Sequence, residues 1–250
     1  MDRTLKSTDE VERLLGLPVL AVVPDISNES KSSTLLGRYG YGYGYGYGQK
    51  APTVASTAKA VTKAARVRKR ANEGEVQIEL LPHLRPRLAV AEAYRNLRTA
   101  LLLSSARQLK VIVVTSAVPS EGKTSTAGHL AVVLAQLGKK VLLFDGDLRK
   151  PRQHEVFHAA NKVGLVNFLT HSAEADKIVF RCDIENLFLT PSGPIPPNPS
   201  ELLSSERMGE FLKFVRSQFD IVIIDSAPTL AVTDGILIGA QSDGVVLCLR

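Results

Sequence analysis

The residues with the most chemistry in them run from Ala117 to Thr124, reading Ala117-Val-Pro-Ser-Glu-Gly122-Lys123-Thr124. This is the P-loop pattern with alanine in place of its first glycine, and its physical logic is intact. Backbone N–H groups over Ser120, Glu121, Gly122, Lys123, Thr124 and Ser125 can cradle phosphates where a helix begins and its dipole favours negative charge. Lys123 reaches the β- and γ-phosphates as a point charge, and the Thr124 hydroxyl is a magnesium ligand. ATP with Mg2+ is therefore the expected ligand. Two further segments carry acids: Asp145-Gly-Asp147-Leu-Arg149 and Asp225-Ser-Ala-Pro228. Carboxylates beside magnesium hold the ion, directly or through water, or take a proton from an incoming nucleophile.

These groups need a scaffold that brings three separate segments together. Short apolar runs at Val111–Val114, Val141–Phe144, Leu187–Leu189, Ile221–Ile224 and Val245–Leu249 alternate with helical stretches. Fully apolar runs between helices indicate strands buried on both faces, hence a doubly wound α/β fold with a mostly parallel sheet of P-loop NTPase type. The P-loop follows one run, and each aspartate motif follows another. In such a sheet ligands sit beyond the carboxyl ends of the strands. The helix after the P-loop is expected over 125–137, and another over 88–105.

The chain has 250 residues, with 44% hydrophobic and 22% charged, ordinary for a soluble globular protein. No apolar run is long enough to span a bilayer and the first residues are polar, so the chain reads as soluble and intracellular. Cys182 and Cys248 lack metal or redox spacing, and Cys248 reads as a buried reduced thiol. The net charge of +6 equals the contribution of Lys59, Lys63, Arg66, Arg68, Lys69 and Arg70. The remainder is neutral, which argues against a general nucleic-acid binder. Residues 7–16 predict a short helix with a Ser7–Glu10 capping box, stopped by Gly16 and Pro18, followed by a brief strand at Val19–Val23. Residues 25–87 have linker composition and repeat Tyr-Gly five times between Tyr39 and Gly48. Such a repeat cannot build a packed core. The basic stretch Lys59–Arg70 is a charged spacer or an attachment to anionic lipid, worth about 1 kcal/mol per basic residue near a membrane.

The P-loop, Asp145-x-Asp147-x-Arg149 and Asp225-x-x-Pro228 together resemble the bacterial tyrosine kinases of capsular and exopolysaccharide synthesis. The resemblance runs from Leu88 to Arg250. It includes Asn186-Leu-Phe-Leu-Thr-Pro-Ser-Gly193-Pro-Ile-Pro-Pro197-Asn-Pro-Ser-Glu201, and Glu92-Ala-Tyr-Arg95-Asn-Leu-Arg98, which is similar to the family's ring-forming motif. The opening, Asp9 to Leu20, resembles the segment after the second transmembrane helix of polysaccharide chain-length regulators. The resemblance implies a Mg-ATP-dependent protein-tyrosine autokinase at the inner face of the bacterial membrane. Its partners would be a membrane regulator segment and polysaccharide synthesis and export proteins. Lys123, Asp145, Asp147 and Asp225 would be catalytic, with Asp145 the base and with Thr124, Asp147 and Asp225 around the metal. Glu92, Arg95 and Arg98, spaced i, i+3 and i+6 on one helix face, would contact the next subunit of a ring; without the resemblance they read as a solvated face with internal ion pairs. The expected domains are 1–24, a juxtamembrane segment; 25–87, a linker; and 88–250, the kinase domain. Val245–Arg250 reads as a central strand, so further sheet elements are expected beyond it.

The family's tyrosine-rich C-terminal tail has no counterpart here. Tyr39, Tyr41, Tyr43, Tyr45 and Tyr47 are either relocated phospho-acceptors or a spacer. His154-Glu155-Val-Phe-His158 matches a zinc-protease pattern but offers no third ligand. Two alternatives stand beside the kinase reading. One is a partition- or septum-type P-loop ATPase, which would carry a second lysine where Val118 and Pro119 stand. The other is a non-catalytic nucleotide-binding regulator of the same machinery.

Overall fold

The computed structural model describes residues 7–24, 80, 88–105 and 108–250. The expected linker, with its Tyr-Gly repeat and the basic stretch Lys59–Arg70, lies outside the described residues apart from Leu80.

Among the described residues six strands form one sheet: β1 (Val111–Ser116), β2 (Val141–Asp145), β3 (Phe180–Arg181), β4 (Leu187–Thr190), β5 (Ile221–Asp225) and β6 (Gly244–Cys248). Their order is β3-β4-β2-β5-β1-β6. All pairings are parallel except β3 with β4. Every residue of β1, β2 and β5 is buried, which explains why these strands are continuous apolar runs.

Helices cover both faces. On one, α3 (Lys123–Ala135) lies against the central strands and is itself buried from Thr126 to Ala135. Helix α2 (Ala89–Leu103) packs over α3 through Val90, Tyr94, Leu97 and Leu101. Tyr94 stacks on His129 with centroids 4.2 Å apart. The other face buries Val111, Val113, Leu142, Phe144, Val222 and Ile224 against two helices, α5 (Leu165–Leu169) and α7 (Glu206–Gln218), through Phe168, Met208, Phe211 and Val215. Three short helices shape the rim: α4 (Gln153–Val156), α6 (Pro199–Leu203) and α8 (Asp234–Gly239).

The doubly wound reading of the sequence holds, with corrections at the edges. The β3 pairing had no apolar signal, because Phe180 and Arg181 are both exposed. Among the described residues β6 is an outer strand of the sheet, with Val245 52% exposed. Cys248 is accordingly half-buried, a free thiol whose pKa burial pushes up to about 11. Helix α1 (Thr8–Leu15) forms as expected, with the Ser7 hydroxyl accepting the Glu10 N–H and Gly16 left-handed at its end. The strand expected at Val19–Val23 does not form. The Glu12 carboxylate takes the Val19 N–H at 2.8 Å instead, and a lone strand has no ladder to join. Among the described residues no helix is long and apolar enough to cross a membrane.

Candidate functional site

The site is built where β1, β2 and β5 end together. Beyond β1, Ser120 (φ +72) and Gly122 (φ +86) adopt left-handed backbone and curl the loop into the start of α3. The Glu121 carboxylate closes the loop from within by accepting the Val118 N–H at 2.8 Å. Helix α3 begins at Lys123, two residues earlier than its pattern suggested, so Lys123, Thr124 and Ser125 form its first turn. The leading N–H groups of any α-helix have no intrahelical acceptor, so this turn offers donors to an anion.

Parallel register places Asp145, the last residue of β2, directly beside Asp225, the last of β5. Gly146 lets the two strand ends stay close. Its N–H donates to the Asp225 carbonyl at 2.7 Å, and a Cβ there would lie only 2.9 Å from that oxygen. The chain then turns to bring Asp147 back over the site. Asp147 accepts the Lys150 N–H at 3.0 Å with one carboxylate oxygen and the Lys123 ammonium at 2.9 Å with the other. Lys123 Nζ also lies 3.7 Å from Asp225 Oδ1 and 3.2 Å from the Thr124 hydroxyl. All four catalytic candidates from the sequence therefore meet. Lys123 rests among the acids instead of reaching outward, because three carboxylates surround the buried cation.

Electrostatics separates the three acids. Burial alone would pull the Lys123 ammonium down, but Asp225 and Asp147 outweigh it and hold its pKa above the ordinary value. Asp145 is fully buried and is pushed well above the carboxylate range by that burial and by the charge of Asp225. Its Oδ2 accepts two backbone N–H groups, from Arg152 and Gln153, each at 2.9 Å. Burial also raises Asp225, with Lys123, Gln153 and the Thr124 hydroxyl opposing the shift. Oδ1 of Asp145 and Oδ1 of Asp225 are buried with no hydrogen-bond donor. The unmatched Asp225 Oδ1, with the Thr124 hydroxyl and the Asp147 carboxylate, belongs to the hard-oxygen donor set that magnesium takes, so these three residues fit the ion.

Four residues at the site were not singled out for it in the sequence. Gln153, fully buried, donates from Nε2 to the Thr124 carbonyl and to Asp225 Oδ2, both at 3.0 Å. Asp234 is fully buried and binds Arg149 through both carboxylate oxygens, at 2.8 and 3.2 Å, and the Ser200 hydroxyl at 2.6 Å. This knot ties the Asp145 motif to the beginnings of α6 and α8. Burial would raise Asp234, but Arg149 and Ser200 prevail and hold it below the usual range. Arg149 closed the Asp145 motif and Ser200 lay within the family-like segment from Asn186 to Glu201, neither with a role at the site, whereas Gln153 and Asp234 stood in no pattern.

The remaining candidates lie away from this centre. On α2, Glu92 and Arg95 pair with each other, and Arg98 donates to the Val133 carbonyl at 3.0 Å. Within one chain Glu92 and Arg95 thus pair along the helix while Arg98 reaches across to α3. Tyr39, Tyr41, Tyr43, Tyr45 and Tyr47 are outside the described residues. The zinc-like spacing does not become a helical ligand pair, because α4 ends at Val156 and His158 is left-handed, φ +52.

Residues 109–249 match a family described as an AAA domain. The chain is 43% identical over 182 residues to the tyrosine-protein kinase YwqD of Bacillus subtilis, covering 72% of this chain and 77% of that protein. It is 39% identical over 175 residues to the tyrosine-protein kinase Wzc of Salmonella typhimurium, covering 70% of this chain but only 24% of Wzc. Among solved structures, the kinase domain of Escherichia coli tyrosine kinase ETK superposes with TM-score 0.75 at 27% identity, covering 98% of this chain and 81% of that one. The BceF tyrosine kinase domain gives TM-score 0.69 at 30% identity, covering 97% and 85%.

Proposed function

This chain belongs to the bacterial tyrosine-protein kinases of capsule and exopolysaccharide synthesis, and we propose how its own residues carry out the transfer. The observation behind the proposal is the meeting of Lys123, Asp147 and Asp225 within 3.7 Å at the strand ends, with Asp145 beside Asp225. ATP binds with its phosphates against the N–H groups of Ser120 to Ser125. Thr124, Asp147 and Asp225 would hold magnesium, which supplies charge neutralisation to the phosphates. Lys123 leaves Asp147 to pair with the β- and γ-phosphates.

The acceptor is a tyrosine hydroxyl. Its oxygen bonds to the γ-phosphorus as the bond to the β-bridging oxygen breaks; ADP departs, and the phenolic proton passes to Asp145. Of the three acids, Asp145 suits that role. Its Oδ2 is occupied by backbone donors while Oδ1 has none, and its environment favours holding a proton. Asp145 is fully buried, so the hydroxyl reaches it only after the P-loop and Lys123 shift to the phosphates.

The acceptors proposed are Tyr39, Tyr41, Tyr43, Tyr45 and Tyr47, presented by one chain to the site of another. Glu92, Arg95 and Arg98 would then exchange part of their internal pairing for contacts between subunits of a ring. Residues 1–24 would join the kinase to a membrane chain-length-regulator segment. Lys59–Arg70 would rest on anionic lipid, beside the polysaccharide synthesis and export proteins.

A complementation assay tests the proposal. Lys123→Met chains with an intact repeat are mixed with otherwise wild-type chains whose five repeat tyrosines are phenylalanine, in Mg2+ and γ-labelled ATP. Phosphotyrosine on the Lys123→Met chain alone is expected. Label on neither chain, with wild-type protein labelled at other residues, would remove the repeat as acceptor.

A further inference from the structure

Gln153 touches all three motifs of the site. Its backbone N–H donates to Asp145 Oδ2 at 2.9 Å. Its side-chain Nε2 donates to the Thr124 carbonyl in the first turn of α3, and to Asp225 Oδ2 at the end of β5. The residue is fully buried, and its own Oε1 has no hydrogen-bond partner. An apolar side chain could fill the same space without burying an unmatched oxygen, which costs about 1–3 kcal/mol. The Nε2 donors are therefore the reason for an amide at this position.

Each carboxylate bonded to Gln153 has one oxygen spent on the protein and one left over. At Asp225, Oδ2 is taken by the amide, and Oδ1 faces Lys123 at 3.7 Å with no hydrogen-bond donor. At Asp145, Oδ2 is taken by two backbone donors, and Oδ1 has none. We infer that Gln153 is a positioning residue. By bridging the Thr124 carbonyl and Asp225 Oδ2, it fixes the rotation of the Asp225 carboxylate and its distance from the P-loop, so that Oδ1 and the Thr124 hydroxyl present a preformed pair of oxygens to a divalent cation. This inference rests on the magnesium–nucleotide reading of the site. Partners that orient a ligand side chain without touching the metal typically matter by 10–100-fold in metal affinity.

The test uses the full chain and its Gln153→Met variant, which keeps length and volume but loses both donors. Affinity for a fluorescent ADP analogue is measured in EDTA and in millimolar Mg2+, with thermal melting recorded alongside. Wild-type protein should bind more tightly with Mg2+, whereas Gln153→Met should lose on the order of tenfold of that gain and bind equally well in EDTA. An unchanged magnesium gain overturns the inference, and so does an equal loss in both conditions, which marks a purely structural residue. Wild-type protein that fails to gain from Mg2+ overturns the underlying reading instead. If Gln153→Met does not fold, the wild-type side-chain amide is followed by 15N NMR. Slow exchange of its two Nε2 protons, retained after Mg-ADP is added, is expected; fast exchange overturns the inference.

Discussion

Lys123→Met should destabilise the nucleotide-free protein as well as stop its chemistry. Lys123 Nζ lies 2.9 Å from Asp147 Oδ2 and 3.7 Å from Asp225 Oδ1, with the three side chains 11%, 6% and 1% exposed. At an effective dielectric of about 20 the gross attractions are about 6 and about 4–5 kcal/mol. Most of that offsets the cost of taking the charges out of water. Removing one partner of such a buried group costs about 3–5 kcal/mol, because the acids left behind stay desolvated and repel one another. At about 2–4 °C per kcal/mol for a domain of this size, the melting temperature should fall by about 6–20 °C. The chain has no tryptophan, so melting is followed by circular dichroism or calorimetry. The pH dependence has a definite sign. The raised Lys123 pKa means that its contribution is complete below the unfolded lysine value of about 10.4 and is lost as pH rises through the folded value. The difference between wild type and variant is therefore fully developed at pH 7. In the variant, Asp145 and Asp225 bind protons more readily folded than unfolded, so its stability should recover as pH falls towards 5. A variant melting within about 1 °C of wild type at pH 7, with no recovery on acidification, would refute the reasoning.

Three other perturbations follow from the same geometry. Asp145→Asn keeps an oxygen for the Arg152 and Gln153 N–H groups and removes a buried charge beside Asp225; it should raise the melting temperature at pH 7 by about 2–4 °C while abolishing phosphotyrosine formation, and a lower melting temperature would contradict this. Gly146→Ala forces a methyl group to 2.9 Å from the Asp225 carbonyl and 3.1 Å from Ile224 and Ile238; it should cost about 1–3 kcal/mol by denaturant melting and weaken nucleotide binding. Asp234→Ala frees Arg149 and Ser200 and should cost about 1.5–3 kcal/mol at neutral pH; because Asp234 titrates below the usual range, that difference should shrink as pH falls through its folded pKa, read from melting curves between pH 7 and pH 3.

The centre of the site was legible because its chemistry is written in continuous segments. A P-loop needs one strand, one loop and one helix start, and each aspartate motif needs only the strand before it. Among the described residues five of six strands were visible as apolar runs; in β1, β2 and β5 burial on both faces leaves no room for polar residues, whereas β6 is apolar in sequence yet partly exposed. Strand β3 was not visible, since its two exposed residues are defined by pairing with β4 and not by their types. Asp234 stands far from the motifs in sequence, and Ser200, inside the segment from Asn186 to Glu201, carried no sign of its partner; both meet Arg149 only through the packing of α6 and α8 beside the sheet. Gln153 is a polar residue in a polar run, and nothing in its neighbours marks it as fully buried. The expected strand at Val19–Val23 failed for the converse reason: an apolar pattern does not supply a partner strand.

The most direct test of the whole reading is phosphotyrosine itself. Purified chain is incubated with Mg2+ and γ-labelled ATP, alone and as Lys123→Met and Asp145→Asn, and the label is mapped by mass spectrometry. Label on Tyr39–Tyr47 of the wild-type chain, absent from both variants, is the expected result. ATP binding without any phosphotyrosine, in protein that is folded and supplied with magnesium, would contradict it and leave a nucleotide-binding regulator in its place.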